Sequence, residues 1–245
     1  MRVIATIEAR LAATRLPGKV MFPLAGAPML QRLVERVRRA GRVDDVVVAS
    51  TTSPADAVIA DLCERIGCRV HRGSVEDITQ RLLDAASGAD VIVQLTGDCP
   101  LIDPAHIDET VRLLVAEKAD YVSNSLTGCT FPLGFDVRAF TMAALRRTSE
   151  LSDDPVDRVH GSYFIYRNPK LFRLLGWEAP DELRWPDLRL TVDEAADYEL
   201  VRRVFETLDA DHKEFGVEDV VALLRRHPDW VSINSAVRQK AAVEG

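Results

Sequence analysis

Along the first hundred residues, apolar runs of strand length alternate with segments whose apolar positions recur every three or four residues. The runs are RVIATIEA (Arg2 to Ala9), DDVVVAS (Asp44 to Ser50), CRVHR (Cys68 to Arg72) and DVIVQLT (Asp90 to Thr96). They are β-branched and mostly apolar, the pattern of strands buried on both faces of a parallel sheet. Between them, PMLQRLVERVRRAG from Pro28, PADAVIADLCERIG from Pro54 and VEDITQRLLDAASG from Val75 carry the helical period. Pro28 and Pro54 stand where a first helical turn tolerates a missing N–H, and Gly41, Gly67 and Gly88 stand where a helix stops. The alternation predicts an α/β fold with a doubly wound, mostly parallel sheet.

After Tyr121 the pattern loosens. YVSNSLTGCTFPLGFDV is rich in turn residues and DPVDRVHGSYFIYRNP is mixed; from Leu188 a strand (LRLTV) and two helices (EAADYELVRRVFETL and VEDVVALLRRHP) are predicted. The expectation is one domain over 1–245, with 121–187 as an irregular insertion that leaves the sheet after 1–120 and returns at 188–245. Ser74 is expected to cap the third helix, and the tail VRQKAAVEG is expected to fray.

Composition narrows the function. A chain of 245 residues, 47% hydrophobic, buries about 70% or more of its unfolded surface. Its net charge of −7 argues against nucleic-acid partners, which call for a basic face. No run approaches the roughly 20 apolar residues of a membrane span, and MRVIATIEAR lacks the apolar core of a signal peptide, so a cytoplasmic location is expected. Cys63, Cys68, Cys99 and Cys129 form no CxxC pair and indicate neither a zinc site nor a disulfide framework.

Ligands of doubly wound sheets bind beyond the carboxyl ends of the strands, and IEARLAATRLPGKV and TGDCPLID both fall there. The first lacks the GxGxxG of dinucleotide sites. It offers Arg10, Arg15 and Lys19, with Gly18 letting amides turn inward, which suits a polyphosphate; a solvated cationic loop is the other reading. Asp98 follows VIVQLT and Asp193 follows LRLTV, where a turn residue and a helix cap are also natural.

RLPGKV preceded by AR, VVVASTT, HRGSVEDI, LTGDCPLIDP, FPLGFDV and RLTVDEAADYELV, in this order, resemble the cytidylyltransferase family of the spore-coat polysaccharide SpsF type, related to the CMP-ketodeoxyoctonate and CMP-acylneuraminate synthetases. The likeness runs from Val3 to about Asn234. It implies a nucleotidyltransferase fold of Rossmann-like type, CTP as co-substrate, and magnesium held by Asp98 and Asp193. It assigns Ala9 and Arg10 to the cytosine and ribose end and Arg15 and Lys19 to the phosphates, with Thr14 adding a hydroxyl and Arg72 and Thr96 as weaker candidates for the base edge. Arg81, Arg158, His160 and Ser162 become candidates for an acidic acceptor. A metal-dependent glycosyltransferase would carry a DxD pair where this chain has DCP, and a non-catalytic nucleotide-binding protein would tolerate loss of Lys19 and both aspartates.

Departures from the family pattern gather on the acceptor side. Leu133 stands in place of Arg, Arg138 and Val159 in place of Glu, and Tyr163 in place of Pro; in the first loop Ala12 and Ala13 replace Gly-Ser and Glu8 replaces Gln. A sugar acid or a smaller acid such as a phosphonate both remain open as acceptor. GCTFPLGFDVRAF, with Phe131, Leu133, Phe135 and Phe140, is the expected surface of a homodimer.

Overall fold

The computed structural model describes residues 1–211 and 214–239. The chain runs β1 (Val3–Glu8), a hairpin of β2 (Pro23–Leu24) and β3 (Ala27–Pro28), α1 (Met29–Val37), β4 (Asp45–Thr51), α2 (Ala57–Arg65), β5 (Arg69–Gly73), α3 (Ile78–Ala85), β6 (Val91–Thr96) and α4 (Pro104–Ala116). It continues through β7 (Tyr121–Ser123), β8 (Arg138–Thr141), α5 (Met142–Leu151), α6 (Pro155–Val159), α7 (Tyr163–Arg167) and β9 (Leu174–Gly176). The last elements are α8 (Ala195–Asp211), α9 (Val217–Arg226) and α10 (Pro228–Val231).

The seven-stranded sheet has the order β5-β4-β1-β6-β8-β7-β9. β5, β4, β1 and β6 are mutually parallel, as their unbroken apolar runs require: Val3, Ile4, Ala5 and Ile7 of β1 are all buried. The chain winds outward from β1 to β5 and then returns to place β6 on the other side of β1. That reversal opens a crevice beyond the carboxyl ends of β1 and β6. Gly97 lets the two ends approach, since a Cβ there would lie 2.9 Å from the Glu8 carbonyl oxygen.

The segment 121–187, expected to leave the sheet, instead gives it three strands. β8 runs antiparallel to β6 and β7, and β9 lies parallel to β7. At three or four residues each, these strands are too short to imprint a period on the sequence. The reverse holds at LRLTV, where no strand forms. Leu188, Leu190 and Val192 are buried, but the only pairing among the described residues is a single bridge from Arg189 to Leu133. The alternation there recorded burial, not a ladder. Gly134 makes the contact possible: its φ is +112° and a Cβ would meet the Leu190 carbonyl carbon at 2.7 Å.

The aromatic segment expected on a dimer face is interior. Phe131, Phe135 and Phe140 are buried; Phe131 and Phe135 pack on His106 and Phe140 stacks on Tyr121, while Leu133 lines the central cavity. Ser74 caps only the turn before α3, accepting from Glu76 and Asp77 amides; Asp77 itself is the N-cap, accepting from Gln80 N at 2.8 Å. Of the tail VRQKAAVEG, residues 240–245 lie outside the described residues.

Candidate active site

A cavity of about 610 Å³ opens at the reversal point. The loop after β1 forms one lip. Asp56, buried at the start of α2, accepts from the Leu11 amide at 2.7 Å and from the Thr51 hydroxyl, so the loop is tied to β4. Gly18 then turns with φ +74°, its amide donating to Leu11 O at 2.9 Å. The turn delivers Lys19 into the crevice.

Lys19 is nearly buried. Its ammonium donates to Asp98 Oδ2 at 3.1 Å, Asp193 Oδ1 at 2.9 Å and Val192 O at 2.6 Å. Burial alone would lower its pKa, but the two carboxylates outweigh it and the net direction is up. Asp193 moves the other way, because Lys19, Arg189 and Arg15 together overcome its desolvation. Arg15 Nη2 lies 2.9 Å from Asp193 Oδ2, and Arg189 Nη2 lies 2.5 Å from the same oxygen. Asp98 accepts from the Thr96 hydroxyl at 2.6 Å, and its carbonyl accepts from Val192 N at 2.8 Å. Two carboxylates from distant segments thus meet on one cation.

The scaffold behind Asp193 is Asp197, fully buried at the first turn of α8. It accepts from the amides of Asp193 and Glu194 at 3.0 and 2.9 Å, from Arg189 Nε at 2.9 Å and from Asn234 Nδ2 at 2.8 Å. Asp197, rather than Asp193, caps the helix from within, which leaves Asp193 facing the cavity. Asp197, Arg189 and Asn234 escape a sequence reading because no local period links them, Asn234 lying 37 and 45 positions from its partners; the arginine inside the apolar LRLTV was the available signal.

Of the candidates, Ala9, Arg10, Thr14, Arg15, Lys19, Thr96, Asp98, Asp193, Arg81 and His160 line the cavity. Arg72, Arg158 and Ser162 do not. The Arg72 guanidinium is held by Thr51 O at 2.9 Å and Ser53 O at 2.7 Å. Arg158 turns toward α5, donating to Ser149 Oγ and O and to Asp153. Ser162 is fully buried and donates to Gln94. Arg138, by contrast, lines the cavity, opposite Gln94 in the β6–β8 register. Burial would depress its pKa, but Tyr121, Asp136 and Tyr166 hold it up.

Comparison with known proteins decides the family. A model described as "Cytidylyltransferase" matches residues 4–224. The chain belongs to the cytidylyltransferase family. It is 31% identical over 235 residues to the spore coat polysaccharide biosynthesis protein SpsF of Bacillus subtilis, covering 93% of this chain and 95% of that protein. A solved cytidylyltransferase from Leptospira borgpetersenii superposes with a TM-score of 0.86 at 31% identity, over 98% of this chain and all of that one, at 100%. The fold is shared more distantly with a CMP:2-keto-3-deoxy-manno-octonic acid synthetase solved with CTP, at a TM-score of 0.63 and 18% identity, over 84% and 99% of the two chains. This cytidylyltransferase is therefore a CTP-dependent nucleotidyltransferase. No helix among its described residues is long and apolar enough to cross a membrane.

Proposed function

We propose that the enzyme transfers CMP from CTP to an acidic acceptor and releases pyrophosphate, with magnesium at Asp98 and Asp193. The observation that carries this reading is the meeting of those two carboxylates on Lys19 at the mouth of the β1–β6 crevice. The donor set fits a hard cation. Among the described residues no group of three or more His, Cys, Asp or Glu is poised for a metal, so the protein supplies two carboxylates, and magnesium usually takes only one or two besides phosphate oxygens and water. When bound, the ion neutralises charge developing on the phosphates.

The chain's own residues do the rest. Lys19 and Arg15, on the lip after β1, are placed for the outer phosphates, where charge-assisted hydrogen bonds stabilise the leaving group. Ala9 and Arg10 lie at the end of β1 for the sugar and base. At the far wall Arg138, Arg81 and His160 face the same cavity. The Arg138 side chain makes no hydrogen bond among the described residues, whereas Lys19 and Arg15 are already committed to carboxylates. Arg138 is thus the cation best placed for the acceptor's acid group.

Incubation with CTP, magnesium and a panel of sugar acids, hydroxy acids and phosphonates should release pyrophosphate and form a CMP-linked acid. Omitting the divalent ion should abolish both. Arg138→Ala should raise the acceptor's KM and leave that of CTP unchanged; an equal rise in both would move Arg138 out of the acceptor site.

A further inference from the structure

Glu8 is a cavity carboxylate for which this assignment provides no task. It ends β1 and lines the cavity, as do Lys19, Asp98 and Arg138. One of its oxygens is fixed by a relay. Ser162 Oγ donates to Gln94 Oε1 at 2.7 Å, which turns the amide so that Gln94 Nε2 donates to Glu8 Oε1 at 2.7 Å. The serine proton thereby settles both the amide and the carboxylate. Gly161 lets the turn before α7 come close enough: a Cβ there would lie 2.8 Å from Leu82 Cδ1 and 3.0 Å from Gln94 Nε2. The other oxygen, Oε2, makes no hydrogen bond among the described residues, and its nearest ionic partner is Arg81 Nη2 at 3.8 Å. A carboxylate oriented through one oxygen, with the second left open at a cavity wall, has the arrangement of a general base.

We propose that Glu8 accepts the proton of the attacking group, and hence that the acceptor is an acid attacking through a hydroxyl, not through an oxygen already charged. The hydroxyl oxygen forms its bond to the α-phosphorus of CTP as its proton passes to Glu8 Oε2. The bond from that phosphorus to the bridging oxygen of pyrophosphate breaks, and its electron pair leaves with pyrophosphate. Glu8 then releases the proton to solvent. Arg138, opposite Gln94 across the β6–β8 ladder, holds the acceptor's anionic group on the same side. The proposal rests on CMP transfer to an acidic acceptor being the reaction.

The electrostatics agree with the geometry. Burial raises the Glu8 carboxyl above the usual carboxylate range against the opposing effects of Gln94, Arg81 and Arg138, and Asp98 adds to the rise. A higher pKa makes the carboxylate a better proton acceptor near neutrality. The charged groups facing it are Arg81 from α3, Arg138 from β8 and Asp98 beyond β6, and His160 lies on the same wall.

The test compares wild type with Glu8→Gln, which keeps the shape of the side chain. The acceptors are 3-deoxy-manno-octulosonate and glycerate, which carry carbon-bound hydroxyls, and methylphosphonate, whose only oxygens are those of the acid group. Wild type should use a hydroxyl acid, with kcat/KM falling on the acid side along a limb set by Glu8. Glu8→Gln should lower kcat about 100-fold or more, remove that limb, and leave the CTP dissociation constant and melting temperature unchanged. Ser162→Ala, which frees the relay, should lower kcat less and shift the limb. An unchanged kcat in Glu8→Gln, a limb that survives in it, or transfer to methylphosphonate alone would each overturn the proposal. Absence of pyrophosphate release with every acceptor would instead defeat the parent reading.

Discussion

Lys19 and its two aspartates behave as one electrostatic unit, and each should be tested by what the others lose. Asp98→Asn and Asp193→Asn are expected to cut turnover by orders of magnitude at saturating magnesium while preserving the fold, as removal of a charge-stabilising metal does; stopped-flow pyrophosphate detection gives the comparison. Lys19→Ala and Arg15→Ala should weaken CTP far more than CMP, by about 1.5 to 3 kcal/mol for a charge-assisted contact, measured by calorimetry. Equal losses for both nucleotides would take these side chains off the outer phosphates. Much of this site was legible in the sequence because its residues sit next to recognisable punctuation: Gly18 before Lys19, a strand end before Asp98. Glu8 was visible only as a departure from a family pattern. Its partner Gln94 lies 86 positions away, and only folding reveals that the polar residue interrupting VIVQLT points at it.

The approach to α8 shows how one element can position a cavity-facing carboxylate without lining the cavity itself. Asp197 binds two backbone amides, Arg189 and Asn234 at once. Asp197→Ala should therefore destabilise the protein by about 3 to 5 kcal/mol, since it removes the buried acceptor of Arg189 Nε, Asn234 and two backbone amides together, and should also misplace Asp193. Urea unfolding would read the first effect and CTP binding the second. Strands β1, β4, β5 and β6 and helices α1, α2, α3, α8 and α9 were readable because their periods run for five or more residues; α4 and α5, though longer than most of these, were not read. β7, β8 and β9 were not, and 188–192 carried the strand period without a strand, since burial on alternate sides leaves the same trace whether or not a neighbour supplies hydrogen bonds. The aromatic segment was misread for a related reason. Composition shows that Phe131, Phe135 and Phe140 are apolar; only tertiary packing determines whether they face inward or outward.

Across the whole molecule, the buried His106 ties α4 to the 131–135 loop and to Trp177. Burial holds its pKa below the ordinary histidine value despite Asp103 and the Phe135 carbonyl, which favour the proton. A depressed histidine stabilises the fold above the unfolded pKa of about 6.5, and that contribution is lost as pH falls through the folded value, because the unfolded chain binds the proton first. The urea midpoint should therefore drop as pH is lowered from 7 toward 5, and His106→Gln should flatten that slope; an unaltered slope would place the acid sensitivity elsewhere.

The clasp on Lys19 also fixes an order of manufacture. Lys19 emerges early from the ribosome, but Asp193 follows it by 174 residues, and domains complete themselves as synthesis proceeds. Every strand of the large sheet, from β1 to β9, is translated before Val192 exists. A stalled chain ending near residue 185 would thus possess the whole sheet and no place to bury its lysine. It would also leave Leu24, Met29, Leu101 and Phe135 without the Leu188 to Phe205 side chains that share their cluster. Quality-control factors that read bare apolar surface would meet such products as near-finished proteins, distinguishable from the enzyme chiefly at the face where it works.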